Sequence, residues 1–413
     1  MFGGIWASRA GWQHAVRFFY IPSESLKGFS VDVSEMHLSL RDELMRAQKE
    51  GTLPHIIVYN RIDGPGSSLD LREFQQALWT LPKMPDDILS DQSAAWSRGL
   101  PRTVGISIDV GTKIEAAPYQ EGLICVQSLD YGTEVRSKAG EAPLIKENWL
   151  LKILDIFGLS GIKLILKNIR PGTQSSGLGG SAAVTTGVCI LANRLAGGPF
   201  NETQLISMAS RMEQDLGISI TGTQEQSNVL FGGVTDYIWF PWGIPGRGET
   251  GFGKSIRFEL IPPEDYHYLE ERLAIFHSGY THASSDVNSV WRAALSTSEG
   301  LKLHSKKLDL VYQFREGLRL HKWDRMLDAV QRYRQVRTTL CPAYMYGSED
   351  LTARAEANGC ATFPLGAGGG GSILIVSPNP EALRNFKDEI GESYREISFH
   401  IKSKGHDVFN LPL

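Results

Sequence analysis

The chain has 413 residues, 42% hydrophobic and 21% charged, with 42 Lys and Arg against 46 Asp and Glu for a formal net charge of -4. That length exceeds the usual span of one hydrophobic core and predicts two domains of ordinary globular composition, with no long low-complexity tract. The slightly acidic balance excludes whole-molecule attraction to nucleic acid or anionic lipid, so a local pocket for a small anionic ligand is the expected binding feature.

Cys125, Cys189, Cys341 and Cys360 are far apart and form no CxxC pair or zinc spacing. This argues against a metal ribbon or a disulfide scaffold and makes a cytoplasmic setting the expectation. No stretch approaches the roughly 18 consecutive apolar residues of a membrane span, so no membrane partner is expected either. The N-terminal stretch has no acid before Glu24 and carries Arg9 and Arg17. It lacks both the Arg/Ser-rich amphipathic pattern of a transit peptide and the apolar core of a signal peptide. The composition leaves a homodimer open.

In chain order, residues 1–50 read as an N-terminal extension of unknown role, with an amphipathic helix over "SEMHLSLRDELMRAQKE" behind the capping Ser34. "HIIVYN" (55–60) is an apolar, β-branched strand that empties into the turn-forming "RIDGPGSSLD". "TVGISIDVGTKIEAAPY" and "LICVQSLD" read as two strands of a sheet. "ENWLLKILDIFGLSG" (147–161) has helical spacing with a glycine stop, and "IKLILKN" (162–168) is again a strand. "SAAVTTGVCILANRLAG" is apolar almost all round, as a buried helix is, and "NETQLISMASRMEQDLG" is a helix capped by Asn201 and stopped at Gly217.

The second half offers strands at "GGVTDYIWFPWG", "SIRFELIPP" and "RLAIFHSG", and long helices through 303–338. The strand-rich segments "CATFPLGAGGGGSILIVS" and "REISFHIKSKGHDVFNL" close the chain. Interleaved strands and helices without a regular βαβ repeat predict an α+β architecture.

Three glycine segments compete as phosphate cradles, where backbone N–H groups and a helix N-terminus crowd around an anion. "GETGFGKS" (248–255) fits the P-loop spacing, but "IRFELIPP" after it reads as a strand, which leaves a solvated hairpin loop. "GAGGGG" (366–371) fits GxGxxG, yet "SILIVS" after it is also a strand, so a dinucleotide site is not expected. A tight turn or a close ligand approach explains those glycines equally. "RPGTQSSGLGGSAAVTTG" alone has the required order of strand, glycine loop and helix, with Ser181 at the helix start within reach of a phosphate-bound metal.

"PGTQSSGLGGSAA" resembles the second motif of the GHMP kinases, the superfamily of galactokinase, homoserine kinase, mevalonate kinase and phosphomevalonate kinase. "PLGAGGGG" resembles their third motif, and "MEQDLGISITGTQEQSNVLFGG" (212–233) their heptose-phosphate and fucose kinase branch. "HSGYTHASSDV" is similar to that branch's Tyr-Thr-Gly segment and "RIDGPGSSLD" to its first motif. The resemblance covers about residues 56–400 and implies an N-terminal ribosomal protein S5 domain 2-like domain (51–250) and a ferredoxin-like C-terminal domain (251–413). The active site would lie in the cleft between them.

The resemblance also implies an ATP- and Mg²⁺-dependent kinase of a sugar or sugar phosphate, acting at the anomeric hydroxyl. Gly177, Leu178, Gly179, Gly180, Ser181 and Ala182 would wrap ATP, and Ser181 and Glu213 would hold Mg²⁺. Glu225 would be catalytic, one methylene longer than the branch's usual aspartate. Asp63, Asp70, Thr281, His282, Gly366, Gly368, Gly369 and Gly370 would line the substrate or phosphate side, His282 replacing a frequent arginine. An Asp in a segment such as 63–70 often only stabilises a turn, and Glu213 and Glu225 read equally as surface charges. A kinase of a mevalonate-like alcohol and a non-catalytic nucleotide- or sugar-binding regulator are the alternatives.

Overall fold

The computed structural model describes residues 33–80, 91–173, 176–244, 254–280 and 284–411. Thr281, His282 and most of the 248–255 glycine segment lie outside them. The described strands, in chain order, are β1 (His55–Asp63), β2 (Arg102–Pro118), β3 (Leu123–Ser128), β4 (Thr133–Lys138), β5 (Ile162–Asn168) and β6 (Val234–Phe240). They continue with β7 (Lys254–Ile261), β8 (Leu273–His277), β9 (Ala361–Pro364), β10 (Ser372–Val376), β11 (Arg395–Glu396) and β12 (His406–Phe409). The architecture is α+β with two sheets. The larger sheet has the order β12-β1-β2-β5-β3-β4, with β6 pairing β2 and β7 pairing β6. The smaller is β11-β8-β10-β9.

β2 is the hinge of this arrangement. It is 17 residues long, and its two halves face different cores. Val104, Ile106, Ile108 and Val110 join the core under helices Ser298–Arg319 and Trp323–Leu340. Ile114 and Ala116 join the core under helices Trp149–Ile156, Gly180–Leu195 and Glu202–Asp215. Between the halves the β1–β2 register slips at Tyr59/Asn60. Asp109 and Val110 of β2 have no partner in β1 there, and extra residues in one strand bend and twist the pair and re-aim the side chains that follow. The residues that follow here are Asn60, Arg61 and Asp63, so "RID" is the end of a strand and not part of the turn expected from its composition.

Helix Gly180–Leu195 lies hard against this sheet. A Cβ at Gly187 would sit 2.5 Å from Val58 and 2.8 Å from Ile114, so only glycine permits the approach. Helix Glu202–Asp215 opens on a reciprocal capping box: Gln204 N–H donates to the Asn201 side chain at 3.0 Å and Asn201 N–H to Gln204 Oε1 at 2.9 Å. Such a cap stabilises by about 1 kcal/mol. Two features qualify the expected division of the chain. Helix Val33–Glu50 buries Leu40 and Leu44 in the second of these cores, so the last part of the expected extension is built into the molecule. The larger sheet also takes β7 and β12 from beyond residue 250. Among the described residues no helix is long and apolar enough to cross a membrane.

Candidate functional site

The bent end of β1, the loop after β5, the segment before helix Gln224–Phe231 and the turn between β9 and β10 meet around a cleft of about 630 Å³. The loop after β5 ends in Gly177 and Gly179, both at φ +76°, a left-handed conformation that costs glycine little. Gly179 is the N-cap of helix Gly180–Leu195 and offers no side-chain acceptor to the first turn. The helix therefore starts with unsatisfied N–H groups and a positive dipole end beside the cleft, an arrangement suited to phosphate oxygens. Gly179, Gly180, Ser181 and Ala182 line the cleft, whereas Leu178 turns into the core and is 1% exposed.

Glu213 is not a surface charge but is fully buried. The Ser181 hydroxyl donates to its Oε1 at 2.6 Å and Thr185 at 3.2 Å, while Ser219 and Gln226 donate to Oε2 at 3.4 and 3.3 Å. Burial pushes its carboxyl up to about 7 despite these donors. A hydroxyl beside a carboxylate, both lining the cleft next to a helix N-terminus, is a donor set of hard oxygens. It fits Mg²⁺, which takes one or two protein oxygens and completes its shell with phosphates and water. Among the described residues no cluster of three or more His, Cys, Asp or Glu could hold a metal alone.

The opposite side of the cleft is organised by Arg61 and Gln224. Arg61 is 3% exposed; its guanidinium pairs with Glu225 and lies 3.7 Å from Asp63. Burial favours the neutral arginine, but the charges of Asp63, Glu225 and Asp70 outweigh it and hold the guanidinium protonated. Gln224 ties the two aspartates together: its backbone N–H donates to Asp70 at 3.0 Å and its side chain to Asp63 at 2.8 Å. Burial, then the nearby Glu225 charge, pushes the Asp70 carboxyl up to about 7; burial also raises Asp63, with Arg61 opposing it. Glu225 remains accessible, its side chain 21% exposed and lining the cleft. Perturbed carboxyls gathered in a cleft around one accessible carboxylate are what acid–base chemistry requires.

Asp63 and Asp70 are thus pocket groups, not simple turn-formers. The glycines of 366–371 divide. Gly366 lines the cleft, but Gly368, Gly369 and Gly370 are not among its lining residues. A Cβ on Gly368 would fall 2.0 Å from the Tyr344 ring, and one on Gly369 3.3 Å from Ala343 and Val287. That turn packs against the segment after helix Trp323–Leu340, which leaves one edge for the cleft. The 248–255 segment ends in β7 as expected, with Lys254 and Ser255 already in the strand.

Three participants escaped the sequence. Arg61 stood inside the first motif, where its i, i+2 relation to Asp63 on a strand puts both side chains on one face. Gln224 looked like a polar neighbour of Glu225. Trp291, 1% exposed and lining the cleft, comes from helix Ser284–Ala294, beyond the end of the "HSGYTHASSDV" segment.

Residues 144–233 match the family model "GHMP kinases N terminal domain". No curated protein matches the chain. Among solved structures, the galactokinase of Lactococcus lactis complexed with galactose is similar with a TM-score of 0.61 at 15% identity, over 90% of this chain and all of that one. A D-glycero-D-manno-heptose 1-phosphate kinase from Bacteriodes thetaiotaomicron gives 0.62 at 14%, covering 86% of this chain and 99% of that one. The Methanococcus jannaschii mevalonate kinase gives 0.60 at 14%, covering 85% and 99%. At such identities the likeness concerns the fold alone. The matched stretch encloses the glycine loop, Glu213 and Glu225, so residues 144–233 carry the N-terminal domain of the GHMP kinases, and the chain shares the fold of these solved kinases over most of its length.

Proposed function

We propose that the chain is an ATP- and Mg²⁺-dependent kinase that transfers the γ-phosphoryl group to a hydroxyl of a sugar or sugar phosphate, with the anomeric hydroxyl as acceptor. The observation that carries this reading is one cleft in which an uncapped glycine-loop helix, a Ser181–Glu213 oxygen pair and an Arg61-held Glu225 face the same space. Phosphoryl transfer passes through a loose transition state, so positioning and charge stabilisation supply most of the catalysis. The first-turn N–H groups and Gly177–Ser181 would bind the phosphates; Ser181 and Glu213 would hold Mg²⁺, which neutralises charge on the phosphate oxygens. Glu225 would take the acceptor's proton as its oxygen bonds to the γ-phosphorus and the bond to ADP breaks. Arg61 would keep that carboxylate ionised and aimed. The nucleotide-binding domain would cover 51–250 and the partner domain 251–413, with β7 and β12 of the second completing the sheet of the first.

The test is ADP release by the purified chain with Mg²⁺–ATP across a panel of sugars, sugar phosphates and hydroxy acids. Turnover of a sugar acceptor supports the reading. Activity confined to mevalonate or homoserine would replace it with the non-sugar alternative, and nucleotide binding without any turnover with the regulatory one.

A further inference from the structure

Resting on that kinase reading, we propose that the acceptor is an uncharged polyhydroxyl compound, a neutral sugar, recognised by Asp63, Asp70 and Trp291, and not a sugar phosphate or a hydroxy acid. The acceptor end is the part of the cleft beside Glu225, where Gln224 ties Asp63 and Asp70 next to it.

Charge comes first. Among the described lining residues Arg61 is the only Lys or Arg, against six carboxylates: Asp63, Asp70, Asp130, Glu147, Glu213 and Glu225. Arg61 is already committed to Glu225 and Asp63. An anionic acceptor would enter beside three of these carboxylates with no uncommitted described cation to meet it, and a buried unpaired charge is strongly disfavoured.

Two buried basic side chains lie close by but behind the wall. Arg337 stacks 3.7 Å over Trp291 and 4.3 Å over Tyr344, and donates to Ser67 Oγ and to the carbonyls of Gly366 and Ala367 at 3.2 and 3.3 Å. Lys307 sits within 5.4–5.7 Å of the rings of Phe74, Trp291 and Tyr333, its ammonium 3.4 Å from the Ser68 hydroxyl. Neither lines the cleft. Arg337 acts on Asp63 from the back, while burial and then the Arg337 charge push Lys307 well below the ordinary lysine value, so neither presents a charge to a ligand.

Hydrogen-bond supply calls for hydroxyls. Asp63 Oδ2 accepts no hydrogen bond and Trp291 Nε1–H donates none, although the two residues are 0% and 1% exposed and both line the cleft. Buried groups of this kind cost stability unless something satisfies them. One wants a donor and the other an acceptor. Sugar hydroxyls supply both, so a polyhydroxyl acceptor satisfies the pair, and the charge of the cleft is what separates the neutral sugar from its phosphate or acid.

The test is calorimetric binding to the purified full chain in the presence of Mg²⁺ and a non-hydrolysable ATP analogue. The probes are galactose, mannose and glucose, each beside its uronic acid and its 6-phosphate. We expect at least one neutral sugar to bind, with its two charged forms weaker by about tenfold or more. A charged form binding as tightly as its neutral parent, or no neutral sugar binding, overturns the proposal. Asp70→Asn and Asp63→Asn, each checked for a cooperative melting transition, are expected to narrow the gap; an unchanged gap in a folded variant counts against carboxylate discrimination. ADP release with ATP is measured on the same sugars. Selective binding of a neutral sugar without ADP release would sink the kinase reading and leave the charge preference standing.

Discussion

Arg61 and Glu225 are 164 positions apart in the chain and form an ion pair at the floor of the cleft. One end of the pair is buried and the other reaches the opening, so the arginine fixes where the carboxylate points. If Glu225 is the base, Glu225→Gln keeps the shape and removes the proton acceptor. Turnover should fall by about 10²–10⁴-fold, with ATP affinity changed little. Arg61→Met should lower turnover as well and also destabilise the fold, because Asp63 loses its nearest counter-charge. Wild-type kcat in Glu225→Gln would remove Glu225 from the mechanism.

The Ser181–Glu213 contact makes a separate claim about Mg²⁺. Ser181→Ala and Glu213→Ala should each weaken nucleotide binding in the presence of Mg²⁺ while leaving Mg²⁺-free binding much less affected. Fluorescence titrations with an ATP analogue at several Mg²⁺ concentrations would show it. Superimposable curves for wild type and both variants would mean the pair is only a structural hydrogen bond.

Asp70 has its carboxyl pushed up to about 7 by burial and by Glu225, against about 3.9 in an unfolded chain. The folded protein therefore binds the extra proton between those values. Its contribution to stability is present below about pH 4 and is lost as the pH rises towards 7. Asp70→Asn can still accept the Gln224 N–H and carries no charge to bury. Its melting temperature should exceed wild type by about 2–4 °C at pH 8, with the gap closing by pH 5. A gap that widens on acidification would contradict this sign.

Away from the cleft, Asp236 is fully buried and holds Arg315 Nε at 3.1 Å and an Arg102 nitrogen at 3.4 Å. Removing one partner of a buried ion cluster strands the other charges. Asp236→Ala should lower unfolding free energy by about 3–5 kcal/mol, read from urea denaturation. A loss below about 1 kcal/mol would place it with exposed pairs such as Arg332–Asp328, whose worth is small.

Much of the local structure was legible in advance. "IKLILKN" is β5 to the residue, because alternation and β-branching act locally. Helix Glu202–Asp215 announced itself by its cap. The glycine loop was recognisable because its function depends on backbone freedom, which Gly and Ser declare by composition. The illegible parts have in common that their identity depends on distant partners. "RID" reads as a turn until β2 pairs with it through Gly105 to Ser107. Glu213 reads as a surface charge until Ser181 and Thr185 cover it.

By itself, then, the sequence determined the order of strands and helices, the glycine loop between a strand and a helix and the set of chemically competent residues, since each is set by short-range propensity or by residue type. Only the tertiary structure decided which of those residues share a space. The bulge in β2 opposite Tyr59 and Asn60, the close seat of helix Gly180–Leu195 on the sheet and the packing of the 366–371 turn on Tyr344 did this, because burial and pairing between distant segments turn a polar residue into a site or a wall.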